Sequence, residues 1–170
     1  MSRLTILEFP DPRLRTRAEA VRVFDDALQR LIADMFETMY AANGVGLAAP
    51  QIGLPLRLSV IDTTSGEDPK AKVVLANPVV ISTEGEQVQE EGCLSLPDFR
   101  AKTPRPERAT VRAHDVHGQE FTMTGEGLLA RAFCHEIDHL NGKLFIQHVG
   151  LLKRESIKRK VRQMMKAGEW

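Results

Sequence analysis

Leu28, Leu31, Ile32, Met35, Phe36 and Met39 recur at spacings of three and four, forming one continuous apolar stripe. Asp25 precedes the stripe as an N-cap, and Asn43-Gly44 follows it as a stop signal. The pattern predicts a helix from Asp25 to about Ala42, with its methionines in the core. From Arg57 to Thr124 the period shortens to that of strands. Leu58-Ser59-Val60-Ile61 and Val73-Val74-Leu75 are short and β-branched. Asn77-Pro78 interrupts, and Val79-Val80-Ile81 resumes. Thr110 to His114 and Glu120 to Met123 flank Asp115-Val116-His117-Gly118, which predicts a hairpin. Ser65 to Lys70 reads as a loop, and Thr103-Pro104-Arg105-Pro106 is too rich in proline for a central strand. The first 20 residues read as irregular.

Towards the C-terminus the helical period returns. Leu128, Leu129, Ala132, Phe133, Ile137 and Leu140 place apolar residues around much of a helix from about Glu126 to Leu140, so this helix should be buried. Asn141-Gly142 should end it. A third helix is predicted from about Lys153 to Ala167. A helix, then mostly strands, then helices, with no repeat or linker, predicts one α+β domain over residues 1–170. The expected architecture is mixed or antiparallel sheets around a buried helix, with N-terminal and C-terminal helices.

Composition adds little at first. The chain has 170 residues, 42% hydrophobic and 27% charged, as a soluble globular domain does. Lys plus Arg and Asp plus Glu each number 23, a net charge of zero. That average hides an asymmetry. Residues 151–170 carry seven Lys or Arg against two Glu, a net +5, which leaves −5 for the rest. Neutrality therefore does not exclude a nucleic-acid-rich partner. Met1-Ser2-Arg3-Leu4 does not begin a signal peptide, and no apolar run approaches the about 20 residues of a membrane helix. A cytoplasmic protein with two reduced thiols, Cys93 and Cys134, is expected.

The chemistry lies on the predicted buried helix, in His135-Glu136-Ile137-Asp138-His139. Histidines at i and i+4 share a helix face and can converge on one metal ion. Glu136 is offset by about 100° and can reach a metal-bound water without ligating the metal. A divalent ion lowers the pKa of that water to around 7, so Glu136 can act as general acid/base. A burial-prone helix with two His, a Glu and an Asp in five positions must also satisfy those groups.

An open catalytic site needs a third ligand. A metzincin would place His at 145, where the chain has Phe145. A thermolysin-like glutamate would have to be Glu155 or Glu169, in or beyond the basic terminal segment. His148 reads as a surface residue, and His114 and His117 as solvated residues beside the hairpin turn. Cys93, in Glu90-Glu91-Gly92-Cys93-Leu94-Ser95-Leu96-Pro97, is the better candidate, since thiolate suits iron or zinc. A buried structural cysteine is its alternative. Gly92 beside it permits a backbone path that other residues resist. Gly44-Val45-Gly46-Leu47-Ala48-Ala49-Pro50-Gln51-Ile52-Gly53 lacks the Gly-Lys-Ser/Thr of a phosphate loop. Its small residues suit close approach to a peptide, and Gln51 offers an amide donor for an oxyanion.

Together these segments resemble peptide deformylase, whose pattern is G-x-G-x-A-A-x-Q, then E-G-C-L-S, then H-E-x-x-H. The likeness covers essentially the whole chain. It implies hydrolysis of the formyl group from the N-terminal formyl-methionine of new polypeptides, with release of formate. It implies Cys93, His135 and His139 as metal ligands and Glu136 as general acid/base. It also implies that Gln51 and the Leu94 backbone N–H stabilise the oxyanion. Gly46 would pair with the substrate main chain, with Val45 and Leu128 lining the methionine pocket. Glu91 and Arg100 match a family charge pair beside the substrate. One divalent ion is implied, Fe²⁺ physiologically, with Zn²⁺ or Ni²⁺ able to substitute. A monomer is expected, with ribosome docking through the basic helix, against a solvated helix face as the alternative. Cys134 stands where the family usually has glutamine and reads as a small core residue. An internal metallopeptidase and a structural metal domain are the competing readings.

Overall fold

The computed structural model describes residues 3–170; Met1 and Ser2, part of the start read above, lie outside them. Helix α1 spans Asp26–Ala41, and the Asp25 side chain accepts from the Leu28 N–H at its start. A cap of this kind stabilises a helix by about 1 kcal/mol. Strands β1 (Gly46–Ala48), β2 (Leu58–Ile61), β3 (Val73–Glu84), β6 (Arg108–His114) and β7 (Glu120–Glu126) form one antiparallel sheet in the order β1-β2-β3-β6-β7. Strands β4 (Gln87–Cys93) and β5 (Leu96–Arg105) form a separate two-stranded hairpin. Helix α2 spans Leu128–Leu140 and α3 spans Leu151–Lys166. The content is α+β, as expected.

Strand β2 explains how the layers meet. All four of its residues are buried. Leu58 and Val60 pack with Leu28, Ile32, Met35, Phe36 and Met39 of α1. Ile61 packs with Val111, Phe133 and Ile137 on the α2 side. Alternate residues of a strand face opposite sides, so α1 and α2 cover opposite faces here. A third cluster joins Leu96 and Ala101 of β5 to Phe145, Ile146, Ile157 and Val161, which seats α3 against the hairpin.

Several expectations change. Val73–Leu75 and Val79–Ile81 are one strand, β3, with a register shift between Ala76 and Val79. Asn77 takes a positive φ of 52° there, and its side chain bonds the Val21 N–H at 2.7 Å and the Val21 carbonyl at 3.0 Å. The interruption is therefore a bulge that ties down the N-terminal segment. Thr103, Pro104 and Arg105 do lie in a strand, but a two-stranded sheet has no central strand, so Pro104 breaks no required ladder. Strands β1, β4 and the start of β5 were not expected. Helix α2 ends as foreseen: Gly142 has φ 76°, Gly142 N–H bonds His139 O, and Lys143 N–H bonds Asp138 O. No helix among the described residues is long and apolar enough to cross a membrane.

Candidate metal centre

Helix α2 packs against the five-stranded sheet, chiefly β7, β1 and β6, which buries His135, Glu136 and His139. One helical turn brings the His135 and His139 Nε2 atoms to 3.2 Å. Cys93 ends β4, where the two-residue turn Leu94-Ser95 reverses the hairpin. Its Sγ lies 3.3 Å from His139 Nε2. The three ligand atoms all fall within 4.8 Å of one another. Tetrahedral N/S coordination at about 2.1 and 2.3 Å requires separations of about 3.3–3.6 Å, so this set fits one ion of that class. Soft thiolate with two imidazoles suits iron, zinc or nickel better than magnesium or calcium.

The surroundings support that assignment. Glu91 is buried and accepts at 2.6 Å from His135 Nδ1. This leaves the His135 Nε2 lone pair aimed at the thiol and the second imidazole. Glu91 Oε1 also accepts from Arg131 Nη1 at 2.6 Å and Arg105 Nε at 3.0 Å, and its Oε2 accepts from Arg105 Nη2 at 2.6 Å. Burial alone would raise this carboxyl, but the hydrogen bonds from His135 and Arg105 outweigh it and hold it well below the usual range. Arg105 continues to Asp138 at 2.7 Å, and Asp138 accepts from His148 at 2.7 Å. Burial, then the neighbouring His135, push His139 well below its ordinary value; burial lowers His135 too, but the charge of Glu136 and the bonds to Cys93 and Glu91 outweigh it and raise His135, so an ion would have to displace a proton there.

Glu136 sits apart from this ionic cluster. Burial pushes its carboxyl up to about 7, and its Oε1 is a buried oxygen with no hydrogen-bond partner among the described residues. Gly46 stands opposite, where a Cβ would overlap Glu136 Oε2. Gly46 is therefore glycine for space. Gln51 rides on the short turn Ala49–Ile52 after β1. Its Oε1 accepts from the Ala48 N–H at 2.9 Å, and its Nε2 donates to Ser95 Oγ at 3.1 Å and points to Cys93 Sγ at 3.6 Å. The amide is held with its N–H face towards the centre.

A cleft of about 800 Å³ opens beside these groups. Val45, Gly46, Gln51, Glu91, Cys93, Leu94, Arg100, Leu128, His135 and Glu136 all line it. Among the expected site residues, His139 is the one not at its surface, being buried behind His135. A smaller cavity, of about 300 Å³, lies under α3 and shares none of these residues.

The structure corrects one pairing. Glu91 does not pair with Arg100. Arg100 sits opposite Gly92 in the hairpin, whereas Glu91 sits opposite Ala101. Pleating therefore turns Arg100 to the exposed face, where it meets Glu90 at 3.7 Å. Ala101, Thr103 and Arg105 occupy the inward face, and Arg105 takes the place expected of Arg100. Gly92 also differs from expectation: it lacks a positive φ, and its missing side chain instead leaves room for Arg100.

Sequence reasoning missed Arg105, Arg131, Gln87 and Ser95 as supports. The alternation Ala101, Thr103, Arg105 is a strand signal that would have turned Arg105 inward. Nothing local announced Arg131, whose role depends on the hairpin reaching α2. His148 is half-exposed, yet bonded to Asp138 and not simply solvated. His114 is half-buried beside Asn77 and Phe24, and His117 is exposed. Cys134 is a half-buried free thiol against the α2 core, its pKa raised chiefly by burial.

Comparison with known proteins agrees with this centre. Residues 3–155 match the family model described as polypeptide deformylase. A peptide deformylase of Acidobacterium capsulatum is 54% identical over 165 residues, covering 97% of each chain. The crystal structure of a Legionella pneumophila peptide deformylase is 50% identical, with a TM-score of 0.91 over 98% of each chain. The peptide deformylase of Thermus thermophilus is 41% identical with a TM-score of 0.90, covering 99% of this chain and 98% of that one. A half-buried to buried Cys-His-His set on a cleft, a family match over nearly the whole chain and this agreement in fold lead to one conclusion: the chain is a hydrolytic enzyme belonging to the polypeptide deformylase family.

Proposed function

We propose that the chain removes the N-formyl group from formyl-methionyl polypeptides by hydrolysis, as one catalytic unit over residues 1–170. The observation that carries this reading is the meeting of Cys93, His135 and His139 beside an unpartnered Glu136 oxygen in an open cleft. Those three residues would hold one divalent ion, Fe²⁺ by family likeness, with Zn²⁺ or Ni²⁺ as substitutes. The ion supplies Lewis acidity and makes a water acidic enough to attack near neutral pH.

The chain's own groups do the rest. Glu136 receives a proton on a carboxylate oxygen and delivers it to the departing methionyl nitrogen. Its raised pKa suits both halves of that transfer. The Gln51 amide and the Leu94 backbone N–H donate to the oxygen of the formyl carbonyl as it gains charge. Water adds to the carbonyl carbon, the C–N bond breaks, and formate and a free amine leave. Strand β1 is an edge of its sheet, so the Gly46 end can pair with an extended substrate main chain. Val45 and Leu128 favour an apolar methionine side chain, and exposed Arg100 lies along the path of the following residues.

The basic α3 is assigned to ribosome contact of a cytoplasmic monomer; its seven cations and two exposed leucines, Leu151 and Leu152, support a docking surface. The activity is tested by formate release from formyl-Met-Ala-Ser, under anaerobic conditions, with Fe²⁺-loaded protein. Turnover is expected, and a metal-loaded chain that releases no formate overturns the reading.

A further inference from the structure

Trp170 packs behind the cleft, against one of the residues that line it. After α3, Gly168 takes φ 74° and Glu169 N–H bonds back to Met164 O at 2.8 Å, which reverses the backbone. Trp170 thereby folds inward and is half-buried. Its indole Nε1–H donates to the Phe9 carbonyl at 2.6 Å. Its ring meets Phe99 in a tilted arrangement, with centroids 5.7 Å apart at 58°. Both neighbours are tied to the site. Phe99 lines the cleft on β5. Phe9 N–H bonds Ser95 O at 2.8 Å, and Ser95 Oγ holds the Gln51 amide. Glu8, adjacent to Phe9, also lines the cleft, as does Ile6.

We infer that Trp170 is a positioning residue for substrate recognition: it clamps the Phe99 wall to the N-terminal segment and so sets the width of the cleft for residues downstream of formyl-methionine. This rests on the deformylase reading above. Two features favour it over a simple terminal packing contact. The indole joins one cleft wall, through its ring on Phe99, to the N-terminal segment, through its N–H on Phe9, whose neighbour Glu8 lines the cleft. Phe99 and Arg100 are adjacent on the hairpin and line the cleft from a different element than Val45, which precedes β1, and Leu128, which begins α2. With methionine placed at Val45 and Leu128, the proposal sets this wall beside the residues that follow it.

The test uses the full, metal-loaded chain and two substrates, formyl-methionine amide and formyl-Met-Ala-Ser. An aromatic pair of this geometry accounts for about 2–10-fold in affinity. Trp170→Ala is therefore expected to raise KM for the tripeptide by about 2–10-fold. Its kcat, and both constants for the amide, should stay unchanged. Trp170→Phe keeps the ring contact and is expected to restore most of the loss. A merely structural role would move both substrates together. Equal effects on the two substrates, or a fall in kcat alone, overturn the inference.

Trp170 is the single tryptophan of the chain, so its emission reports this contact directly. In a Glu136→Gln background, titration with formyl-Met-Ala-Ser should shift that emission saturably, and Phe99→Leu should abolish the shift. No shift rejects the clamp. A shift in that background, with no formate released by the unsubstituted metal-loaded chain, would instead reject the deformylase reading and leave the clamp standing.

Discussion

Helix α2 supplies two side chains of the candidate metal centre and the β4–β5 hairpin one, and they do so by different physics. In α2, His135, Glu136 and His139 take their relative positions from helix geometry alone. Nothing outside the helix is needed to place two imidazoles one turn apart. The hairpin places Cys93 at a turn of two residues, on a two-stranded sheet that would be marginal alone. Its position depends on charge: Arg105 within the hairpin and Arg131 from α2 both grip Glu91, and Glu91 grips His135. The helical part is built by periodicity and the hairpin part by a buried ionic knot. The first tolerates changes around it, and the second fails when any partner is lost.

Three experiments bear on that contrast. The largest effect should come from separating chemistry from metal retention. Glu136→Ala, on the helix, should cut formate release by about 10²–10⁴-fold while metal content holds. Cys93→Ala, on the hairpin, should lose the metal itself. Paired activity and metal analysis checks both, and unchanged stoichiometry in Cys93→Ala would remove this thiol from the ligand set. Next comes the knot. Arg105→Leu leaves Glu91 and Asp138 short of a buried partner, and denaturant unfolding should show a loss of about 3–5 kcal/mol. A loss below about 1 kcal/mol, the range of exposed pairs, would mean that the hairpin is held by its apolar contacts.

The smallest effect is in pH dependence. Glu91 resists protonation in the folded chain, while the unfolded chain takes up a proton near the ordinary value of 4.5. The unfolded state therefore binds more protons at lower pH, and the stability Glu91 contributes is present above that value and lost as pH falls through its folded pKa. Glu91→Gln lacks this linkage. The gap between the melting curves of the two chains should begin to narrow below the ordinary value of 4.5 and keep narrowing as the pH falls further, and a constant gap would refute the assignment.

The same contrast decides what could be read in the sequence. The stripe from Leu28 to Met39 and the run His135 to His139 are local patterns, and both elements formed where expected. The hairpin hides because its inward positions are polar: Gln87, Glu91, Thr103 and Arg105 are buried where a strand usually shows apolar residues. Strand β1 hides because it is only three residues long and glycine-led. The site residues themselves were legible as a family pattern. The partner of Glu91 was not, since choosing Arg105 over Arg100 requires the hairpin register, which only the fold supplies.

Strand β1 carries one more consequence, which concerns aggregation. A free sheet edge is a template on which other chains can stack. Here Leu47 and Ala48 are fully buried, and the Ala48 N–H is already taken by Gln51. Only the Gly46 end remains open, inside the cleft and against Glu136. An edge that short and recessed admits a single extended chain terminus and refuses the flat strand of a second folded molecule. The recess that leaves Gly46 open to an extended chain thus gives a second folded molecule little edge to stack on.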